Sequence, residues 1–293
     1  MPPAQQLLNP ALYTLAWIAP LDIEARAALA LFDRIHEGHF AVARGHDHVF
    51  HAGEIAGYNT ILATLTPGSY GTGSAAALAS QVKILFPNLW LGLLVGVAAG
   101  LPRFSHPELP NRDIRLGDVL VAQPSSRRDA LIAYDLGRIV DGSGRVELLR
   151  DGHALARIEP LVLSAASKLK QRPDTTTALF WQHYQQVEKD VCDDDGSTFA
   201  HPGPDKDILW NGRAIVQRPP RLQRTRVWYG SIGSGDKLMR DASTRDKLRD
   251  EFDLIGLEME AAGVINSIPV GVIRGVCDYG DGAKDKHWQP YAA

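Results

Sequence analysis

The sequence predicts a single α/β domain in which a parallel or mixed sheet is covered by helices, and two observations carry this prediction. The chain has 293 residues, of which 45% are hydrophobic, and this is enough for one large domain with a sizeable core. Short apolar runs alternate along most of the chain with segments of helical periodicity, a pattern typical of strands joined by helices. A sheet with helices on its faces is largely buried, so its strands are expected to be parallel or of mixed direction.

Each predicted element follows from its own local pattern. Apolar runs bounded by Pro, Gly or polar residues indicate strands, whereas Ala and Leu at helical spacing indicate helices. Gly57 and Tyr58 separate two strands as a hairpin turn, and residues 66–75 form a Gly/Ser loop before a helix. The predicted strands cover residues 12–19, 49–56, 59–65, 91–97, 118–122, 227–232, 254–257 and 270–274. The predicted helices cover residues 21–32, 76–85, 154–170 and 243–251, and a further helix opens at Glu258.

Residues 171–226 differ from the rest of the chain because they are polar and rich in proline. This composition predicts an insertion made of loops, with a short helix at residues 178–188. The three aspartates at positions 193–195 could bind a metal, but no His or Glu stands at a fitting spacing, so a solvated loop is the better interpretation. The chain stops at Tyr291 to Ala293 in what looks like the first turn of a helix, so we expect a domain cut from a longer multidomain protein.

Charge and cysteine content exclude several classes of protein. The net charge is −3 with acids and bases mixed along the chain, so neither nucleic acid nor a membrane surface is an expected partner. The two cysteines, Cys192 and Cys277, are too few for a disulfide framework and indicate reduced thiols. Residues 1–9 do not resemble a signal peptide, and the longest apolar stretch, residues 89–100, is too short to span a bilayer. We therefore expect a cytoplasmic protein.

Acidic or small residues follow four of the predicted strands, where open α/β sheets bind their ligands. These features are Glu24, the Gly-rich residues 96–100, the run Glu258-Met259-Glu260, and residues 274–278, which include Asp278. Each has a structural alternative when taken alone. Glu24 could simply stabilise the first turn of a helix, and Asp278 could be a loop residue or a helix cap. The Gly-rich stretch is not a GxGxxG motif, which disfavours a dinucleotide-binding site.

Taken together and in this order, the features resemble the nucleoside phosphorylase superfamily. The similarity is greatest to the fungal nucleoside-phosphorylase-like domains at the N-terminus of larger, immune-receptor-like proteins. It covers nearly the whole chain and is weakest in the insertion. The resemblance implies a three-layer α/β/α sandwich around a twisted mixed sheet, and a homo-oligomer. The matching residues are 17–24, 67–71, 113–119, 229–236, 257–262 and 273–279.

Within the superfamily, the pattern also looks like that of methylthioadenosine/S-adenosylhomocysteine nucleosidases, which implies cleavage of a purine N-glycosidic bond. By motif, Glu24 corresponds to the base that activates water, and Asp278 to the acid that protonates the departing purine. Glu260 corresponds to the residue that holds the ribose hydroxyls. The same resemblance puts other residues around the base and sugar, namely Glu258, Met259, Ala98, Leu238, Met239 and Cys277. It implies no metal and no organic cofactor.

Two departures from the phosphorylases bear on the nucleophile. Glu24 stands where a phosphate-binding loop is expected and would repel phosphate, and Val97 replaces a serine and cannot donate a hydrogen bond from its side chain. Both changes favour hydrolysis over phosphorolysis. A phosphorolytic enzyme remains one alternative, and a catalytically silent nucleotide sensor is the other.

Some superfamily members fused to immune-type proteins act on ATP, which suggests a nucleotide substrate here. Several cations stand close in sequence to the motifs and could hold a polyphosphate tail, because Arg and Lys form charge-assisted hydrogen bonds with phosphate. Cations in loops are more often simply solvated. The candidates are Arg103, Arg112, Arg115, Lys237 and Lys286.

Overall fold

A computed structural model of the chain describes residues 6–41, 43–104, 106–139, 146–152, 156–190, 196–283 and 286–293. In these ranges ten strands form one mixed sheet, and two further strands form a small separate sheet. The strands are β1 (Leu15–Ile18), β2 (Arg34–Ile35), β3 (Phe50–Ile55), β4 (Tyr58–Ala63), β5 (Leu91–Gly100), β6 (Val119–Ala122), β7 (Leu131–Ala133), β8 (Gly137–Ile139), β9 (Val146–Leu148), β10 (Val227–Ser234), β11 (Leu254–Glu258) and β12 (Val270–Asp278).

The order of strands in the main sheet is β11-β10-β6-β12-β5-β1-β4-β3-β2, with β7 paired to β10. Strand β5 is parallel to β1 and β12, whereas β12 is antiparallel to β6. Strand β11 pairs with β10 and also, in antiparallel direction, with β5. The strands β5, β12, β6, β10 and β11 therefore form a closed ring within the sheet.

Helices cover the sheet, so the predicted three-layer α/β/α class with a mixed central sheet is confirmed. The first helix contacts β4 and β5, the fifth contacts β11, and the last contacts β12. The fully buried core side chains between these layers include Ile18, Ile61, Leu78, Leu94, Leu120 and Val272. The helices of the described ranges are α1 (Asp22–Leu29), α2 (Gly71–Leu85), α3 (Pro160–Lys170), α4 (Pro173–Val187), α5 (Ala242–Phe252), α6 (Ala261–Val264) and α7 (Trp288–Ala292).

The hairpin prediction is confirmed, since β3 and β4 pair antiparallel across the turn at Ala56 and Gly57. Helix α2, however, begins at Gly71, five residues before its predicted start. The cap comes from a distant residue: the Asp236 carboxylate accepts hydrogen bonds from the Thr72 backbone N–H at 2.6 Å and from its hydroxyl at 3.0 Å. A cap supplied from 164 positions away is invisible to local sequence patterns.

Other element bounds also differ from the predictions. The insertion contains a 15-residue helix, α4, rather than the short one expected at residues 178–188. The helix predicted from residue 154 begins at Pro160, and the one predicted at Glu258 begins at Ala261. Strand β7 was not predicted because three residues are too few for a periodicity signal. The aspartates at positions 193–195 lie outside the described residues.

Candidate active site

Glu24 lies in the first turn of α1, immediately after β1, and its side chain is only 3% exposed. Its Oε2 accepts a hydrogen bond from the Leu21 backbone N–H at 2.8 Å. Its Oε1 accepts one from the Val97 backbone N–H of β5 at 2.7 Å. The carboxylate is therefore held between the start of a helix and the middle of a central strand, rather than solvated at a helix surface.

Arg274 of β12 completes a buried cluster with this carboxylate and two others. Its guanidinium binds Glu258 and, at 3.0 Å, Glu260. Glu258 also accepts hydrogen bonds from the backbone N–H groups of Glu260 at 3.1 Å and Ala261 at 3.0 Å. Three buried carboxylates thus surround one buried guanidinium, an arrangement that a purely structural core would not need.

Arg274 was not predicted to be a site residue from the sequence. It lies within an apolar strand and is completely buried. An arginine in the interior of a buried strand is uncommon and requires paired carboxylates. The position of Arg274 in an apolar run was therefore the feature of the sequence that could have indicated a buried charged site. Among the described residues, its Nε has no hydrogen-bond partner. The nitrogen is therefore a donor that a ligand or water could satisfy.

Burial raises the pKa of two carboxylates of this cluster, Glu24 and Glu260. Burial raises the pKa of Glu24 to about 7, although the Arg274 charge and the two backbone N–H donors oppose the shift. Burial also raises the pKa of Glu260, with Arg274 opposing and the nearby Glu258 carboxylate reinforcing the effect. A carboxylate that titrates near neutral pH can accept a proton from water and later release it, which is what a general base requires.

Asp278 ends β12 and lies in register with Ala99 of β5. Its Oδ1 accepts a hydrogen bond from the Gly280 backbone N–H at 2.8 Å, and the Cys277 thiol lies 3.4 Å from its Oδ2. Arg274 and Asp278 are four residues apart on one strand, a separation of roughly 13 Å. Asp278 therefore lies on the same strand as Arg274, but at the end of that strand and some distance from the buried carboxylate cluster.

Asp278 lines a cavity of about 160 Å³. Its wall includes residues of the loop after β12 and, unexpectedly, of the polar insertion. The lining residues are Leu116, Asp205, Lys206, Ile208, Cys277, Asp278, Tyr279, Asp281 and Ala283. The insertion therefore contributes directly to the surroundings of the predicted acid, which its composition did not indicate.

The remaining predicted contact residues lie on β5, directly after β11, and in the segment between β10 and α5. Met259 is partly buried between Glu258 and Glu260, and Ala98 is buried in β5. Met239 packs against the cluster that contains Ala99, with its Cγ 3.2 Å from the position that a Cβ at Gly280 would occupy. Leu238 is 55% exposed.

The predicted phosphate-binding cations do not form one group. Arg103, whose side chain is fully buried, binds Asp253 at 2.6 Å, and Arg112 binds the same carboxylate at 3.0 Å. Asp253 directly precedes β11, whereas Glu258 ends it, so this ion pair lies at the other end of the strand. Arg115 binds Asp113 at 2.7 Å and the Pro219 carbonyl at 2.6 Å.

These contacts show which of the predicted phosphate-binding cations are already paired within the protein. The guanidinium groups of Arg103, Arg112 and Arg115 are already engaged by acidic or carbonyl partners. Lys237 and Lys286 are exposed and remain accessible to a ligand. Within the described ranges, no group of three or more His, Cys, Asp and Glu side chains is arranged to hold a metal ion. No helix in those ranges is long and apolar enough to cross a membrane.

The fold matches solved structures of nucleosidases. It aligns with 5′-methylthioadenosine/S-adenosylhomocysteine nucleosidase from Neisseria meningitidis, which was solved in complex with methylthio-immucillin-A. The TM-score is 0.60, the sequence identity is 18%, and the alignment covers 96% of this chain and 94% of that chain. For the futalosine hydrolase of Helicobacter pylori the TM-score is 0.59, with 17% identity over 96% and 91% of the two chains. The fold implied by the resemblance in the sequence is thus confirmed, since the chain shares the fold of these solved structures.

The chain is also similar in sequence to a nucleotide-binding leucine-rich repeat (NLR)-like protein of Hyaloscypha variabilis. The two are 33% identical over 298 residues. The match covers 98% of this chain and 28% of that relative, so the chain spans little more than a quarter of the relative's length. No model of a known protein family matches the chain.

Proposed function

We propose that this chain hydrolyses the N-glycosidic bond of a purine nucleoside or nucleotide. The observation that carries the proposal is the buried Glu24 carboxylate, held by the Val97 backbone N–H beside Arg274 and Glu260. The chemistry needs a base, a group for the ribose and an acid. This chain has a carboxylate suited to each role, namely Glu24 in α1, Glu260 directly before α6 and Asp278 at the end of β12. Solved structures of the same fold include a methylthioadenosine/S-adenosylhomocysteine nucleosidase in complex with methylthio-immucillin-A and a futalosine hydrolase, which supports the choice of bond.

In the proposed reaction, Glu24 accepts a proton from a water molecule whose oxygen attacks the anomeric carbon of the ribose. The bond from that carbon to the purine nitrogen breaks, and its electron pair stays with the base. Asp278 gives a proton to the purine, because the anion of the base is a poor leaving group. Glu260 accepts hydrogen bonds from the ribose hydroxyls as positive charge develops on the sugar.

Water is the expected nucleophile rather than phosphate. By the resemblance, Glu24 stands where the phosphorylases have a phosphate-binding loop, and its buried carboxylate would repel phosphate because like charges in a buried site repel strongly. Val97 offers its backbone N–H to Glu24, so this donor is not available to an anion. The products are therefore the free base and free ribose or ribose phosphate, not ribose 1-phosphate.

The finer part of the proposal concerns the substrate and the assembly. We propose a 5′-phosphorylated adenine nucleotide such as ATP, with the exposed Lys237 and Lys286 near the phosphates. The similarity to one part of a longer NLR-like protein supports a domain that is fused to others. A homo-oligomer is proposed as well, and the molar mass of the purified chain in solution tests it.

The purified chain tests the reaction directly. It is incubated with adenosine, methylthioadenosine, AMP, ATP and guanosine, with and without inorganic phosphate, while free base is followed by chromatography. We expect free base to appear at the same rate without phosphate. Activity only after phosphate is added, with ribose 1-phosphate as product, would establish phosphorolysis. No free base from any substrate would leave a nucleotide sensor as the function.

A further inference from the structure

A segment of the polar insertion, residues 204–218, covers the loop that follows Asp278, and we call it the covering segment. It contributes Asp205, Lys206 and Ile208 to the wall of the Asp278 cavity. The Trp288 indole N–H donates to the Lys206 carbonyl at 3.0 Å, which fixes one end of the segment to α7. This part of the insertion is therefore bound to the domain rather than free in solvent.

The covering segment forms hydrogen bonds with the side chain of Tyr279, the residue directly after Asp278. The Tyr279 hydroxyl donates to the Asp207 carboxylate and accepts from the Arg218 guanidinium at 2.9 Å. Arg218 also binds Asp207 at 2.9 Å, which closes a triangle of three buried or nearly buried groups. Outside the segment, the Leu116 backbone N–H donates to the same hydroxyl at 3.1 Å.

A second anchor holds the other side of the Asp278 loop. The Asp281 carboxylate accepts from the Trp210 backbone N–H of the covering segment at 3.0 Å. Arg245 of α5 donates to the Tyr279 carbonyl at 3.0 Å and lies 3.5 Å from Asp281. The loop is thus fixed on both sides of the Gly280 turn, whose backbone N–H in turn holds the Asp278 carboxylate.

From these contacts we propose that Asp207 and Arg218 are positioning residues for the proposed acid, holding Tyr279 and thereby the Asp278 carboxylate in place. The inference rests on the proposed function, because it matters only if Asp278 delivers a proton. In this proposal the insertion, for which the composition predicts loops, positions a residue that takes part in catalysis. A displacement of about 1 Å at a reacting group can lower a rate roughly 100-fold. Because Tyr279 directly follows Asp278, the contacts of Asp207 and Arg218 with Tyr279 are close enough to affect proton transfer from Asp278.

Two conservative substitutions in the triangle test this inference. Tyr279→Phe deletes only the hydroxyl, and Asp207→Asn leaves the shape but removes the charge. We expect kcat for the purine substrate to fall about 10- to 100-fold in both, with KM changed much less. The matched control is Tyr58→Phe, because Tyr58 is 51% exposed on the β3–β4 hairpin, and we expect its rates to match those of the wild type.

A second readout separates positioning of an acid from general damage. A 4-nitrophenyl riboside releases nitrophenolate, which leaves as an anion without protonation and so does not need Asp278. We expect Tyr279→Phe to lower purine release far more than nitrophenolate release.

The outcomes distinguish this inference from the proposed function. If the wild type releases no base, the proposed function fails and this inference fails with it. If Asp278→Asn is inactive while Tyr279→Phe and Asp207→Asn keep the wild-type kcat, the function stands and positioning by the covering segment is wrong. Equal losses for purine and nitrophenyl substrates, or loss of folding in both variants by thermal melting, would show a merely structural role.

Discussion

Gly96 and Arg274 are directly paired between β5 and β12, and the missing side chain of Gly96 is what allows Arg274 to approach Glu24. A Cβ at residue 96 would lie 2.4 Å from Glu24 Oε1 and 2.7 Å from Arg274 Nη1. Real Cβ atoms do not approach other heavy atoms so closely, and the two atoms belong to groups already fixed by hydrogen bonds. The carboxylate cluster therefore depends on a glycine at this position.

Gly96→Ala should displace the Glu24 carboxylate from the Val97 backbone N–H and lower kcat at least about tenfold, because the base loses its position. Purine release under saturating substrate measures the effect. The control is Gly73→Ala, since a Cβ added at that helical glycine meets no atom within 4 Å. Wild-type activity in Gly96→Ala would show that the close approach of these groups is not needed for the reaction.

Glu24→Gln should remove a pH-dependent component of stability as well as the base. The pKa of Glu24 is raised by burial to about 7 in the folded chain, against 4.5 for the unperturbed group. The folded state then holds this proton over a range in which the unfolded state has lost it. This contribution to the free energy of unfolding is fully present below the pKa of the unfolded state. It is lost as pH rises towards 7, and the total loss is about 3 kcal/mol.

Urea unfolding of wild type and Glu24→Gln across pH 4 to 8 measures this difference. We expect the wild-type free energy of unfolding to fall relative to that of the variant as pH rises through this window. The activity of the wild type should rise over the same range, because only the deprotonated carboxylate accepts a proton. Parallel stability curves for the two proteins would contradict the raised pKa.

Asp278→Asn should abolish most turnover while leaving the fold intact, because an amide cannot give up a proton to the departing purine. Loss of one positioned acid costs roughly 10²- to 10⁴-fold in rate. Single-turnover release of purine, together with a thermal melt, checks both parts. Near-normal activity in the folded variant would mean that the proton comes from another group.

Glu260→Ala should weaken substrate binding and catalysis together, and 2′-deoxy substrates should be poor for the wild type. Hydrogen bonds that involve a charged group contribute about 1.5–3 kcal/mol, and the Glu260 carboxylate is the proposed acceptor for the ribose hydroxyls. The ratio of kcat/KM for ribo- and deoxyribo-substrates is the measurement. Equal values for the two in the wild type would rule out this role.

ATP should be turned over faster than adenosine at equal concentration, and Lys237→Ala combined with Lys286→Ala should reduce that preference. Both lysines are exposed, so their ammonium groups are free to reach a phosphate chain in water. Lys83→Ala in α2 removes a comparable exposed charge away from the predicted motifs and serves as the control. Faster cleavage of adenosine or methylthioadenosine by the wild type would overturn the nucleotide proposal.

Local patterns were sufficient to predict the class of fold and the position of the acidic residues at the ends of strands. The strand that precedes Glu24 was predicted from an apolar run ended by Pro20, and the hairpin was predicted from the Gly57-Tyr58 turn between two strand signals. The run Glu258-Met259-Glu260 and Asp278 stand directly after apolar runs, where an α/β sheet binds its ligands. The early start of α2 was missed, because its cap is the remote Asp236.

Only the tertiary structure decided how these residues meet. The antiparallel pairing of β11 with β5 carries Glu258 to Arg274, and nothing in the local pattern of either strand specifies that partner. The same holds for Arg103 and Arg112, which look like phosphate ligands in the sequence but share Asp253 in the fold. It also holds for Asp207 and Arg218, which reach Tyr279 from a polar insertion. Side-chain type and strand position are encoded locally, whereas the partner of a buried charge depends on which strands close the sheet and how distant segments pack.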